Sequence, residues 1–380
     1  MIQTNEDNAA RNRWSIALFM IALFGAALRF YGLGFRDFWF DESCTFIYVK
    51  YLFDWPEGSS LLAESTNLPY YLLLRGWVEC WGESEISYRA LSALAATLTI
   101  PMVALLARRL ADPFTALVAA VLVAVHPLHI HYAHEARAYA LWLLLLTIVL
   151  WSLHVAATTG RKRWWCLFGL TMLSALHLHY FSIYLLPATV GVVFVAADRK
   201  SAFRAWWITA SLVGLAFVPY FVVAVLPASR GGGGTWIAQY FEPHTAFLHT
   251  LWAFLPAGAY PEHLRGLSLA SVDTVRFQGE FLIAANAAAR AVPAVVVTAM
   301  IVLLVTRVMR RRLSVATGNR AWTTHAFLAF ASLGPLLLAW IYSMAIAPNY
   351  LVARYDLVAW PAFMVWLGVV MTSFARAVAP

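Results

Sequence analysis

Long apolar runs separated by short clusters of charge set the pattern of this chain. Runs near 14–33, 88–107, 113–130, 137–157, 164–180, 181–197, 205–227, 285–306, 322–346 and 356–375 match the roughly 17–25 residues that a bilayer-spanning helix needs. They predict an all-α, polytopic membrane protein of about ten transmembrane helices. The fifth and sixth runs are separated only by a His-rich turn, which makes that boundary the weakest. The polar intervals divide the chain into an N-terminal transmembrane module over 1–227, a large loop over 228–284 and C-terminal helices over 285–380. Another loop, over 34–87, interrupts the first module, and its apolar spacing predicts a short interfacial helix over 68–81.

Composition agrees. The 380 residues are 62% hydrophobic and 12% charged, with a mean hydropathy of +0.70, whereas soluble domains carry about 25% charged residues. The 17 Trp and 16 Tyr suit interfacial belts. The segment from Trp14 to Leu28 has a basic lead but no small-residue cleavage pattern, so it reads as an uncleaved first span. The cysteines Cys44, Cys80 and Cys166 have no metal spacing; Cys44 and Cys80 are open to pairing or to remaining separate thiols.

The net charge of +8 invites a nucleic-acid partner until its distribution is followed. With the N-terminus inside, most of the 27 basic residues fall on inner segments, including Arg108, Arg109, Arg161, Lys162, Arg163 and the run Arg310–Arg312. The acids concentrate on the other side. By the positive-inside rule both termini are cytoplasmic, the two large loops are extracytoplasmic and no nucleic acid is required. Four adjacent glycines, Gly231–Gly234, open the second loop, as either a movable flap or a passive linker.

Candidate chemistry gathers at the outer ends of the spans. Phe40-Asp41-Glu42 follows the first span, and two adjacent carboxylates there can divide proton transfer from ligand or metal binding. The segment from His126 to Tyr139 brings His131, His134, Glu135, Arg137 and Tyr139 together. If it is helical, His131 and Glu135 share a face, as do Glu135 and Tyr139. Interfacial snorkelling accounts for one such residue but poorly for the group. His177 and His179 lie on the same side, and the outer histidines leave a divalent metal open without any familiar ligand spacing. Tyr350, Arg354, Tyr355 and Asp356 precede the last span. Arg354 suits a phosphate, since guanidinium matches phosphate oxygens bidentately, or anchors the span by pairing with Asp356.

The order of these clusters resembles the polytopic glycosyltransferases of the GT-C superfamily. The resemblance rests on Leu28-Arg29-Phe30, Trp39-Phe40-Asp41-Glu42, Asn67-Leu68-Pro69-Tyr70-Tyr71, the Arg89-Ala90-Leu91-Ser92 segment, Tyr132-x-x-Glu135-x-Arg137-x-Tyr139 and Arg354-Tyr355 through Pro361. It covers about residues 28–190 and returns at 348–361. The nearest branch is that of protein O-mannosyltransferases and the lipid A aminoarabinose transferase. Asn67-Leu68-Pro69 departs from the His-Pro-Pro usual there, and the chain is short for the branch, without a C-terminal soluble domain, which disfavours a folded protein acceptor.

The resemblance implies transfer of a sugar from a polyprenyl-phosphate donor to an outer acceptor, with inversion. It implies Asp41 as general base with Glu42 beside it, Arg137 and Arg354 on the donor phosphate, and His134, Glu135, Tyr139, Tyr350 and Tyr355 as substrate contacts. No nucleotide pocket is needed, no cofactor is required and a divalent metal stays open. The competing class is a lipid-linked-sugar flippase or transporter. That class places charges near the bilayer midplane, where these spans are apolar apart from His154 near an inner end.

Overall fold

The computed structural model describes residues 2–53, 67–196, 198–227, 235–255 and 319–378, and every regular element among them is a helix. Helix α1 (Ile2–Phe30) leads into two short helices, α2 (Phe40–Lys50) and α3 (Leu68–Trp81). The bundle continues with α4 (Glu85–Leu110), α5 (Pro113–Ala124), α6 (Pro127–Ala133), α7 (Tyr139–Thr159) and α8 (Lys162–Leu178). Beyond a helical stretch at 180–194 come α9 (Arg199–Tyr220), α10 (Ala246–Phe254), α11 (Asn319–Ala345) and α12 (Trp360–Val378).

Six segments are long and apolar enough to cross a membrane, and the α5–α6 pair, bent by 58°, makes a seventh if taken as one broken span. The chain is a multi-pass membrane protein. The expected ten are not all found. Helix α8 has 17 residues, and the run at 285–306 lies outside the described residues, as do Gly231–Gly234. The expected span over 181–197 is instead three short pieces, Tyr180–Tyr184, Leu185–Ala188 and Thr189–Phe194. Pro187 lacks the N–H that a continuous helix needs there. Gly191 then lets the chain lie against α11, since a Cβ on it would come within 2.4 Å of Phe330.

The first span breaks no rule except at Arg29, which is wholly buried in its last turn. Pro127 ends α5 and leaves its last carbonyls short of helical donors. Arg29 supplies them: Nη2 donates to the Val123 carbonyl at 2.8 Å and Nη1 to the Ala124 carbonyl at 2.9 Å. Nη1 also reaches the Gly25 carbonyl at 2.8 Å, and Nη2 lies 2.8 Å from His129 Nδ1. Gly25 makes the approach possible, because a Cβ would stand 2.3 Å from Ile100 and 3.2 Å from Arg29 Nη1.

Contacts define two ends. At one, Trp14 Nε1 donates to the Pro113 carbonyl at 3.0 Å, Arg108 lies over the Trp14 ring at 4.2 Å, and Arg376 meets Asp112 at 2.8 Å. Asp112 caps α5 by accepting from the backbone N–H of Phe114 and Thr115. The start of α5 and the ends of α4 and α12 therefore share this end with Trp14. The other end carries α2, α3, the turns at 31–39 and 134–138, and the segment 346–355. Helices α1 and α9 expose apolar side chains such as Phe19, Leu23, Leu212 and Leu215, as lipid-facing helices do. Cys44 on α2 and Cys80 on α3 are in no disulfide.

Candidate active site

The site is built on one ion pair. Arg89, near the start of α4, and Glu42, in the first turn of α2, both have no exposed side-chain surface and meet bidentately: Nε to Oε1 and Nη2 to Oε2, each at 2.8 Å. The remaining donors of Arg89 reach the carbonyls of Leu33 at 2.7 Å, Arg36 at 2.8 Å and Asp37 at 3.1 Å. Glu42 in turn accepts from the Ala136 N–H at 2.8 Å and the Trp39 N–H at 3.4 Å. A buried pair of this kind is tolerated only when its remaining donors and acceptors are met, and here they are. It ties the 33–39 turn, α2, α4 and the 134–138 turn into one unit.

Glu42, expected beside Asp41 in the chemistry, is instead found fully buried and bonded. Its oxygens are filled by N–H donors, its side chain has no exposed surface, and it joins α2 to α4 and the 134–138 turn. Asp41, one residue earlier, turns the other way. Its side chain is 22% exposed; Arg354 Nη2 donates to Oδ2, and Arg137 Nη2 lies 3.8 Å from the same oxygen. Arg137 Nη1 also approaches the Asp41 carbonyl and Thr45 Oγ1, each at 3.4 Å. Arg354 Nε donates to Tyr139 Oη at 2.8 Å, and its guanidinium lies 5.8 Å from the centre of the Trp39 ring. Residues 41, 137, 139 and 354 thus converge from three separate stretches of chain. Burial opposes the charge of Arg137, but Tyr71, Tyr139 and Asp41 outweigh it and hold the guanidinium pKa above its usual value.

The segment 134–138 is a turn, not the helix that the expected face pairings need. Ala136 gives its N–H to Glu42 instead of to a helical carbonyl. His131 and Glu135 still meet, at 3.1 Å. Burial raises the Glu135 carboxyl, but His131, Arg354 and Arg36 outweigh it and leave the pKa below its ordinary value. His134 is pinned rather than presented: its carbonyl accepts from Arg36 Nη2 at 2.7 Å and its Nε2 faces the Leu28 carbonyl at 3.3 Å. Burial, with Arg36 nearby, lowers its pKa to about 4, so the ring is neutral and donates to Leu28.

Tyr355 stacks on Phe181 at 4.4 Å beside His179, which itself stacks on Trp142 at 4.2 Å. Tyr350 stands elsewhere. Its hydroxyl bonds Thr250 of α10 at 2.7 Å, and Thr250 donates to Asp356 at 2.6 Å, so Asp356 pairs with α10 and Arg354 with Asp41. The segment just before α10 reaches α11 through Trp340 Nε1 and the Pro243 carbonyl at 3.0 Å. His126, His129, His177 and His179 pack against aromatic rings. Among the described residues no three His, Cys, Asp or Glu side chains form a cation-binding group. Sequence reasoning assigned no role to Arg29, Arg36 or Tyr132 and left Arg89 ambiguous, because their partners are carbonyls or lie far along the chain.

Solved membrane enzymes share this architecture. The Archaeoglobus fulgidus oligosaccharyltransferase in complex with Zn and sulfate is 16% identical, with a TM-score of 0.53, over 95% of this chain and 49% of that one. AglB from the same organism, in complex with an inhibitory peptide and a dolichol-phosphate, is 16% identical with a TM-score of 0.52, over 97% and 52% of the two chains. ArnT from Cupriavidus metallidurans, bound to undecaprenyl phosphate, is 15% identical with a TM-score of 0.52, over 94% and 60%. The likeness is one of fold, and the chain spans about half the length of the first two. Residues 68–228 match the family described as dolichyl-phosphate-mannose-protein mannosyltransferase. No curated protein matches in sequence. The chain therefore has the GT-C fold. Within it, the resemblance is to the branch of O-mannosyltransferases and ArnT.

Proposed function

We propose that this chain is an integral membrane glycosyltransferase that moves a sugar from a polyprenyl-phosphate donor to a cell-envelope acceptor at the extracytoplasmic face. The observation that carries this reading is Asp41, partly exposed and in contact with Arg354 and Arg137 at one end of the bundle. Arg108, Arg109 and Arg376 lie at the opposite end, which the positive-inside rule assigns to the cytoplasm together with both termini. Dolichol-phosphate and undecaprenyl phosphate on the two similar structures support the donor class.

The chemistry follows from the groups present. Arg354 and Arg137 offer guanidinium N–H groups to the donor phosphate, drawing it into the place beside Asp41. As the bond between the anomeric carbon and the phosphate oxygen breaks, the phosphate keeps the electron pair, and both arginines stabilise the added charge. The acceptor oxygen attacks from the opposite face, which inverts the anomeric centre, and Asp41 takes its proton. Glu135, Tyr139 and Tyr355 line the same end as candidate sugar contacts. Among the described residues the donors at this end do not suit a divalent metal: Glu42 is filled by N–H groups, His134 is turned to Leu28 and two arginines stand at Asp41.

The test presents a panel of radiolabelled polyprenyl-phosphate sugars and an envelope-lipid extract to the detergent-solubilised protein. Label moving to a new product, and about a hundredfold more slowly in Asp41→Asn, supports a transferase with a carboxylate base. Equal rates in both keep the transferase and remove Asp41 as base, as a phosphate acceptor would allow. Label crossing proteoliposomes unchanged, with no product, overturns the reading in favour of transport.

A further inference from the structure

We propose that Tyr132 is a positioning residue whose hydroxyl clamps the carbonyl of Ala353 and holds the strained turn that aims Arg354 at Asp41. Ala353, at φ 60°, is the only non-glycine residue at positive φ among the described residues. That left-handed conformation brings the Cβ of an L-residue too close to its own following carbonyl, so it persists only where the surroundings enforce it. The enforcement is visible. The N–H groups of Arg354 and Tyr355 both return to the Leu351 carbonyl, at 3.3 and 3.0 Å, closing a tight turn around Ala353. The Ala353 carbonyl receives the hydroxyl of Tyr132, from α6, in a buried hydrogen bond. Leu351, Val352 and Ala353 are themselves buried, which leaves the turn no solvent-facing alternative.

The side chain leaving this turn is Arg354. Its side chain is 13% exposed, and the guanidinium is gripped by Asp41 and by Tyr139 Oη. The Tyr132 and Tyr139 rings lie 4.8 Å apart. One tyrosine therefore fixes the backbone behind Arg354 while its neighbour fixes the guanidinium in front. Without the clamp, Ala353 relaxes toward negative φ, and the direction of the next side chain changes with it. The effect on transfer rests on Arg354 serving as a phosphate ligand; the geometry does not.

A glycine at 353 occupies positive φ without strain and makes the clamp dispensable. The experiment compares wild type, Tyr132→Phe, Ala353→Gly and the double variant Tyr132→Phe/Ala353→Gly as full-length chains in detergent, each first checked by thermal melting. Arg354 reactivity toward phenylglyoxal is mapped by peptide mass spectrometry with Arg376, 56% exposed, as the internal reference. Undecaprenyl phosphate binding is measured in parallel. Tyr132→Phe should raise Arg354 reactivity and weaken the lipid phosphate about tenfold, and the double variant should restore both.

Unchanged Arg354 protection in Tyr132→Phe overturns the proposal, as does a double variant no better protected than Tyr132→Phe. If Tyr132→Phe does not fold, Ala353→Gly and the double variant carry the test: equal protection supports the clamp and lost protection in the double variant overturns it. Failure of the wild type to bind undecaprenyl phosphate, with the reactivity pattern intact, counts against the function alone.

Discussion

A carboxylate meets a guanidinium at both ends of this bundle, and the two meetings differ in kind. Asp112 and Arg376 touch at 2.8 Å with 31% and 56% of their side chains exposed. Glu42 and Arg89 touch at the same 2.8 Å with neither exposed at all. Distance is equal; surroundings are not. The exposed pair trades water for a partner that is scarcely better, whereas the buried one has no water to return to and must be complete. The difference teaches where the fold stores rigidity: at the end where Asp41 and two arginines need fixed positions, and not at the end that only closes helices.

The contrast breaks most visibly at Glu42. Glu42→Gln keeps the shape but leaves Arg89 charged and unpaired, and should lower stability by about 3–5 kcal/mol, read as a fall in melting temperature, with transfer lost. Asp41→Asn is the sharper partner. It should lower the melting temperature less than Glu42→Gln, because the side chain of Asp41 is 22% exposed, while slowing transfer about a hundred- to ten-thousandfold if Asp41 is the base proposed above. If the two variants behave alike in melting, the separation of adjacent carboxylates into brace and base is wrong.

Acid probes the same end. His134 is neutral down to about 4 when folded, against an ordinary value of about 6.5 when unfolded. Between those values the unfolded chain binds the extra proton, so stability is full above about pH 6.5 and declines as pH falls toward 4, by at most about 3 kcal/mol. Melting curves of wild type against His134→Gln should diverge in slope over that window, with the variant flatter. The smallest effect belongs to the exposed pair: Arg376→Ala should change stability by less than about 1 kcal/mol and that little should vanish in high salt.

Much of the architecture was legible because apolar length and basic clusters obey simple rules. The helix over Leu68–Trp81 lies where it is expected, and α5 begins at Pro113, where the third apolar run begins. The convergence of Asp41, Arg137, Tyr139 and Arg354 was legible as an order of motifs but not as geometry. What escaped has a common cause. The Glu42–Arg89 bond joins residues 47 apart, and the grip of Arg36 on His134 and of Tyr132 on Ala353 uses backbone carbonyls, which every residue carries and no sequence advertises. The 134–138 turn misled because His131, Glu135 and Tyr139 have helical spacing while Ala136 gives its N–H to Glu42. Proximity along the chain groups Tyr350 with Tyr355, yet its hydroxyl bonds Thr250, 100 residues away.

Arg29 carries a consequence for biogenesis. An arginine in an apolar helix raises the cost of leaving the translocon by about 2.5–3.5 kcal/mol at mid-helix and less near its end. The carbonyls that accept it, on Val123 and Ala124, are 94 and 95 residues downstream. At synthesis rates of about 5–20 residues per second, the first helix waits roughly 5–20 s for its acceptors. During that interval its guanidinium can be hydrated only by staying near the lipid headgroups. Insertion of α1 is thus provisional until α5 arrives, and the broken helix that shapes the site also completes the entry of the first.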